Sequence, residues 1–252
     1  MKDNNKLFEA LSLSGQESGL NWYTILLKRE QYRSHFHHFD IEVVAGMDES
    51  DVDVIVGAGD VVGNEEKLRS IINNAKIIKA KKDEDPNFTF QNYLYSFINN
   101  QPILNYWKTF KYLPAETPES EAMSIIMKED GFEYVGATII YAFMQSVGMV
   151  MDHPMVSPQR LELVQDLERL EGGYQNREFS HVDKWHKSHV GNPVRSYDPD
   201  KEEWINGEVV SFSRGGQKKK LWHIQYDDGD EEDLNELTLM RVLMHYRRHA
   251  ML

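Results

Sequence analysis

Apolar positions along the first 157 residues recur with helical spacing. Leu20, Tyr23 and Leu27 fall at i, i+3 and i+7, which predicts one buried face of a helix running on through "ILLKREQY". Asp40 is a natural N-cap for a helix opening on "IEVVAGM", and Asp48 or Ser50 for the one after it. Four more periodic stretches follow: "EKLRSIINNAKIIKA", "FTFQNYLYSFINN", "ESEAMSIIMKED" and "VGATIIYAFMQSVGMVM". Most are parted by polar breaks that include Pro86, Pro102, Pro114 and Pro118. The expectation is a compact all-α bundle over 1–157. A further amphipathic helix is predicted from Ser157-Pro158, with Leu163, Leu167 and Leu170 on one face and Gly172-Gly173 at its end. Residues 158–189 thus read as that helix and a polar, histidine-rich linker.

Beyond the linker the period changes to two. Trp222, Ile224 and Tyr226 alternate with His223 and Gln225, the pattern of a strand. "PVRSYD", "GEVVSF" and "EEDLNEL" supply three more short strands, and "SRGGQKKK" a hairpin turn around Gly215-Gly216. A spacing of about ten residues between turns predicts a small, strongly bent barrel over 190–240. Residues 241–252 read as a short helix or tail. The fold class expected is mainly α with a small C-terminal β-barrel.

Composition narrows the function. No apolar run reaches the roughly eighteen residues of a spanning helix, and the polar start "MKDNNK" is no signal peptide, so no membrane partner is expected. With no cysteine in the chain there are neither disulfides nor thiolate metal sites, which fits a reducing compartment. The net charge is −13. Residues 1–157 carry 14 Lys plus Arg against 23 Asp plus Glu, so the acidity is not confined to the C-terminal region. Such a chain repels nucleic acid at long range, because phosphate binding rests on clustered Lys and Arg. A local DNA-binding surface remains open.

The stretch "KLFEALSLSGQESGLNWYTILLKREQYRSHFHHFD" resembles the DNA-3-methyladenine glycosylase I family, whose pattern is close to LFE-x-L-x-LEGxQAGLSW-xTIL-xKRE-xYRxxFxxFD. The likeness continues through "IINNA", "FQNYLYSFIN" and "GFEYVGATIIYAFMQSVGMVMDH", and covers about residues 5 to 157. It implies a helical bundle with a helix-hairpin-helix DNA-binding element. It also implies an activity of base-excision repair, in which a methylated adenine is flipped out of damaged DNA and its N-glycosidic bond cleaved. Flipping is required because the target atom is unreachable within the stack.

Against the family pattern, four places differ. Ser14 stands where the family has the glutamate that reads the flipped cationic base, and a charge-assisted hydrogen bond is roughly twice as strong as a neutral one. Glu17 lies one helical turn later and is the alternative carboxylate, although its plainer reading is a solvated residue. Trp22 occupies the position of the family's base-contacting tryptophan, while the N-terminal YHDxEWG-type segment does not occur in the chain. The family's structural zinc has only His153 as a possible ligand, with Ser157 in place of a cysteine; His35, His37 and His38 form no ligand pattern either. No metal and no cofactor are expected. Finally, Asp60 to Leu68, "DVVGNEEKL", matches a hairpin that reads GIIRNRxKI in the family. Asp60, Gly63, Asn64, Glu65, Glu66 and Lys67 are the residues at this DNA-facing position, and the acids among them oppose a phosphate.

Residues 190–240 are similar to Tudor-like domains, most specifically at "YDDGDEEDL". That resemblance implies an aromatic cage for methyl-lysine or methyl-arginine held by cation–π attraction, with Tyr197, Trp204 and Tyr226 as its candidates and Asp228 as an acidic partner. The same aromatics equally fill the core of so small a barrel. Seven acids among Asp227 to Glu236 favour a basic partner such as a methylated histone tail, or are a solvated edge that discourages strand pairing. Three functions remain open: an excision enzyme acting on damaged DNA, an inactive glycosylase-like scaffold serving as a chromatin adaptor, and a weak glycosylase steered to chromatin by its barrel. The expected location is the nucleus in a eukaryote and otherwise the cytoplasm.

Overall fold

The computed structural model describes residues 3–105, 107, 111, 113–153, 157, 160, 175–177, 193–198, 203–214, 220–234 and 239. They fall into two units. The first comprises Met1–Leu94 with Ser124–Gly148, and the second Tyr95–Met123 with Met149–Leu252.

The first unit is helical: α1 (Asn4–Glu17), α2 (Trp22–Leu27), α3 (Arg29–His35), α4 (Ile41–Ala45), α5 (Glu49–Ala58), α6 (Glu65–Glu84), most of α7 (Phe90–Ser96), the end of α8 (Pro118–Glu129) and α9 (Ala137–Val147). Local chemistry sets the starts. Asp3 caps α1 by accepting from the amides of Asn5 and Lys6, and Asp40 caps α4 through those of Glu42 and Val43. Of the two candidates for α5, Asp48 is the cap, in a box completed by the Asp51 side chain. Leu7, Phe8 and Leu11 of α1 lie in the core beside Phe36, Phe39 and Leu68. Between α3 and α4, His37, His38 and Phe39 take φ values of 49°, 55° and 58°, three successive residues in the left-handed region. Glu9, buried in α1, is clamped there by Arg29 Nε and Arg33 Nη1, each at 2.7 Å from a separate carboxylate oxygen.

The face predicted from Leu20, Tyr23 and Leu27 is not buried. These residues are 44%, 66% and 64% exposed, and only Ile25 of α2 is in the core. The chain does not helix continuously through "ILLKREQY": Asn21 starts α2, and Lys28, at φ −103° and ψ 4°, separates it from α3. Leu20 lies ahead of α2, and Tyr23 and Leu27 lie on the exposed side of that short helix, so their spacing alone did not fix which face is covered.

In the second unit, two strands fall within the 1–157 region expected to be all helix, and a third in the expected linker. Strand β1 (Ile103–Asn105) runs parallel to β2 (Val150–Met151) and to β3 (Gln175–Arg177), in the order β2-β1-β3. β2 falls within the "VGMVM" end of a predicted helix because Gly148, at φ +78°, terminates α9. β3 lies in the predicted linker; the amphipathic helix predicted after Ser157 and the tail lie outside the described residues, apart from Arg160. A buried polar set holds β1: Asp152 Oδ1 accepts from Asn105 Nδ2 at 2.6 Å and from Trp107 Nε1 at 2.7 Å, and Arg160 Nη1 donates to the carbonyls of Asn105 and His153.

The four C-terminal strands form as predicted: β4 (Pro193–Asp198), β5 (Glu203–Arg214), β6 (Lys220–Tyr226) and β7 (Glu231–Leu234). They make an antiparallel sheet in simple sequence order, and among the described residues β4 and β7 do not pair, so the sheet is open rather than a closed barrel. Alternation specifies each strand and its inner face, but closure depends on edge-to-edge pairing that local patterning does not encode. Val194, Val209, Trp222, Ile224 and Leu234 are buried. Gly207 permits the close pairing of β5 with β6, since a Cβ there would lie 2.6 Å from the Gln225 carbonyl oxygen and 2.8 Å from the Tyr226 ring. Gly207→Ala is therefore expected to destabilise this sheet by about 2 kcal/mol or more through overpacking, read as loss of amide protection in β5 and β6 with α1–α6 unchanged. Unaltered protection in β5 and β6 would contradict the tight pairing.

Candidate nucleic-acid interface

Ser14 is one turn short of the end of α1, on a stretch buried from Leu11 to Gln16. Its hydroxyl donates to the Ala10 carbonyl at 2.8 Å, the local back-bond open to a serine in a helix. The oxygen keeps its lone pairs as acceptors, but the position carries no charge. Gly15 lets α1 approach the turn before α9: a Cβ there would stand 3.2 Å from the Tyr134 Cβ. That turn is fixed from α6 by Asn74, which donates to the Glu133 carbonyl at 3.0 Å and accepts from its amide at 2.8 Å.

Glu17 is half-buried as the last residue of α1, and burial holds its carboxyl above the ordinary carboxylate range. Trp22 opens α2 and is half-buried, its helix capped by Asn21 Oδ1, which accepts from the Tyr23 amide at 2.7 Å. Ser14 to Trp22 is thus one continuous turn from α1 to α2, with Gly19 supplying the left-handed residue at φ +73°.

Helices α5 and α6 and the residues between them hold the six hairpin positions named from the sequence. The acids there are engaged by the chain itself. Asp60 Oδ1 is 2.7 Å from His35 Nε2, and the Asp60 carbonyl accepts from Lys28 Nζ at 2.7 Å. Glu65 accepts from Arg69 at 2.7 Å. Glu66 accepts a hydrogen bond from Tyr134, whose phenol is held above its usual range by desolvation and then by that carboxylate. Asn64 caps α6 by accepting from the Lys67 amide at 3.1 Å, and Gly63 has open space where a side chain would be. Lys67, the one cation among the six hairpin positions, is not turned to solvent: it is 7% exposed, and its ammonium donates to the carbonyls of Gln16 at 3.0 Å and Ser18 at 2.5 Å. Desolvation lowers its pKa. The hairpin therefore presents acidic and neutral groups, with its one cation turned inward.

Two buried residues that the sequence did not mark as site residues join the hairpin to the Ser14–Trp22 segment. Gln16, fully buried, donates to the Lys67 carbonyl at 2.7 Å. Tyr32 Oη donates to Gln16 Oε1 and accepts from the Val62 amide, each at 3.3 Å. Burial pushes the Tyr32 phenol up to about 12. The sequence offers only a polar residue inside the quoted motif and a tyrosine at an apolar position as signals of this pair.

The remaining candidates lie elsewhere. His153 is exposed, and one imidazole with a serine where the family pattern has a cysteine, in a chain without cysteine, is not a zinc donor set. Among the described residues no three His, Asp or Glu side chains stand together as a metal site. In the C-terminal sheet, Tyr197 stands opposite Trp204 and Tyr226 opposite Gly207. The side chains of Tyr197 and Trp204 lie outside the described residues. Tyr226 is 9% exposed and its hydroxyl donates to Glu232; Asp228 is exposed in the turn, accepting from the Asp230 amide.

A family model described as methyladenine glycosylase matches residues 1–160. DNA-3-methyladenine glycosylase 1 of Escherichia coli (strain K12) is 41% identical over 152 residues, 60% of this chain and 80% of that protein. A crystal structure of 3-methyladenine DNA glycosylase I superposes with a TM-score of 0.60 at 37% identity, covering 63% of this chain and 86% of the other. The Staphylococcus aureus enzyme, in a structure addressing how it recognises 3-methyladenine, gives a TM-score of 0.59 at 27% identity over 63% of this chain and 83% of its own.

Proposed function

The chain belongs to the methyladenine glycosylase family, and on that premise we propose that it acts in base-excision repair as a strongly attenuated DNA-3-methyladenine glycosylase. The carrying observation is Ser14, whose hydroxyl is bonded within its own helix where the family pattern places a carboxylate. The substrate helps the reaction along. An N3-alkylated adenine is cationic, so when water adds at C1′ and the glycosidic bond breaks, the bonding pair returns to the ring and the base departs neutral. The proton released by the added water passes to solvent. What the protein must supply is extrusion, orientation and recognition of the charge. Trp22 offers a ring face for the flipped base; Ser14 offers a neutral acceptor in place of an anion. The acidic hairpin weakens the phosphate contact that holds the duplex.

Single-turnover incubation with alkylated duplex DNA tests this reading. The expected result is slow release of 3-methyladenine, about a hundredfold or more below a family member with the carboxylate. Release at an unreduced rate overturns the attenuation, and no release at all leaves only the scaffold.

A second reading concerns the C-terminal sheet and its likeness to Tudor-like domains. Six of the seven residues Asp227 to Asp233 are acidic and all seven are exposed, which suits a basic protein segment. The resemblance suggests a methylated histone tail, which would tether the chain to chromatin in a nucleus. Titration with a panel of methyl-lysine and methyl-arginine peptides decides it, and absence of binding removes the reading.

A further inference from the structure

We propose that Lys67 is a positioning residue that locks the Ser14–Trp22 turn to the start of α6, so that the hairpin and the base-facing turn form one rigid body. The proposal rests on the reading of that turn as base-facing.

Lys67 is the third residue of α6, and its amide is tied to the cap Asn64. Its ammonium reaches back to the end of α1, where carbonyls lack intrahelical donors, and takes those of Gln16 and Ser18. A cation at a helix C-terminus is also the favourable sign for the helix dipole. The return connection is made by Gln16, which donates to the Lys67 carbonyl, an acceptor that Ser70 Oγ shares at 2.7 Å. Gln16 in turn accepts from Tyr32, and Tyr32 accepts from the hairpin amide of Val62. The circuit runs from the end of α1 to the start of α6, on to the hairpin, through α3 and back to α1. With the ammonium buried and committed to two carbonyls, a phosphate contact by Lys67 would require breaking both bonds. In a hairpin whose acids are engaged by other side chains of the same chain, this cation holds the chain together rather than the DNA.

Hydrogen exchange and base affinity on the full chain test the lock. Lys67→Met keeps an apolar stem in the buried site but removes the donors. It is expected to speed amide exchange in Ser18–Thr24 by about tenfold or more while α4 and α5 keep wild-type protection, and to weaken binding of free 3-methyladenine, read by tryptophan fluorescence, by about tenfold. Faster exchange confined to α6, or a uniform rise across the chain, overturns the proposal. If Lys67→Met does not fold, Lys67→Arg gives the same readout: a longer, planar donor should selectively loosen Ser18–Thr24, and unchanged exchange there overturns it. Should the wild-type chain bind no 3-methyladenine, the base-facing reading fails, and the exchange measurement by itself decides whether the lock exists.

Discussion

Ser14→Glu is expected to raise the single-turnover rate of 3-methyladenine release about a hundredfold, with Ser14→Gln remaining near the wild-type rate. A single preorganised electrostatic group contributes about 10²–10³ in rate. Ser14 is 3% exposed on a helix already fixed against the Tyr134 turn, so a carboxylate introduced there would be held in a defined, poorly hydrated place. That environment strengthens its attraction for a cationic base. The added side chain must also fit, and overpacking costs about 1–3 kcal/mol, so the variant should unfold at a lower temperature while working faster. Gln matches Glu in size and separates charge from shape. Equal gains from both variants would show that volume, not charge, limits the pocket. No gain from either would place the defect at the acidic hairpin, and the salt dependence of duplex binding would then be the quantity to measure.

Loss of the Glu9 clamp should have the largest effect on stability. Replacing both Arg29 and Arg33 with Met leaves the Glu9 carboxylate, 4% exposed as a side chain, without its two guanidinium partners. Breaking a buried ion pair from one side costs about 3–5 kcal/mol. Because the Arg29 and Arg33 side chains are 48% and 27% exposed, the lower end of that range is the fair expectation. Adding Glu9→Met to the double variant should recover much of the loss, since no unpaired charge then remains. Urea unfolding of the first unit measures both, and a double variant within about 0.5 kcal/mol of wild type would mean that the carboxylate finds water or another donor. The clamp joins α1 to α3 ahead of the left-handed turn at His37–Phe39, so it also bears on how accurately α1 is placed.

The reading of caps succeeded because a cap is a local event. Asp40 and Asp48 act on amides two or three residues away, and the residues needed lie in one short stretch of chain. Asp60 and Glu66 were legible as acids in the hairpin for the same reason, but not as acids already paired, because His35 and Tyr134 reach them only in the folded chain. Nothing local marks Lys67 in "GNEEKL" as buried, and the fold turns it inward to the end of α1.

By itself the sequence determined the ancestry, through Gly15, Gln16, Gly19, Leu20 and Trp22 in "LSGQESGLNW", together with most helix starts and the four C-terminal strands. All of these are carried by neighbours along the chain. Only the tertiary structure decided which apolar residues are covered, where α2 yields to α3, that β1 and β2 pair, and that β4 to β7 form an open sheet. It also decided that the hairpin cation is spent on Gln16 and Ser18. These outcomes depend on which distant groups arrive to satisfy buried backbone and charge, and one-dimensional spacing holds no record of that arrival.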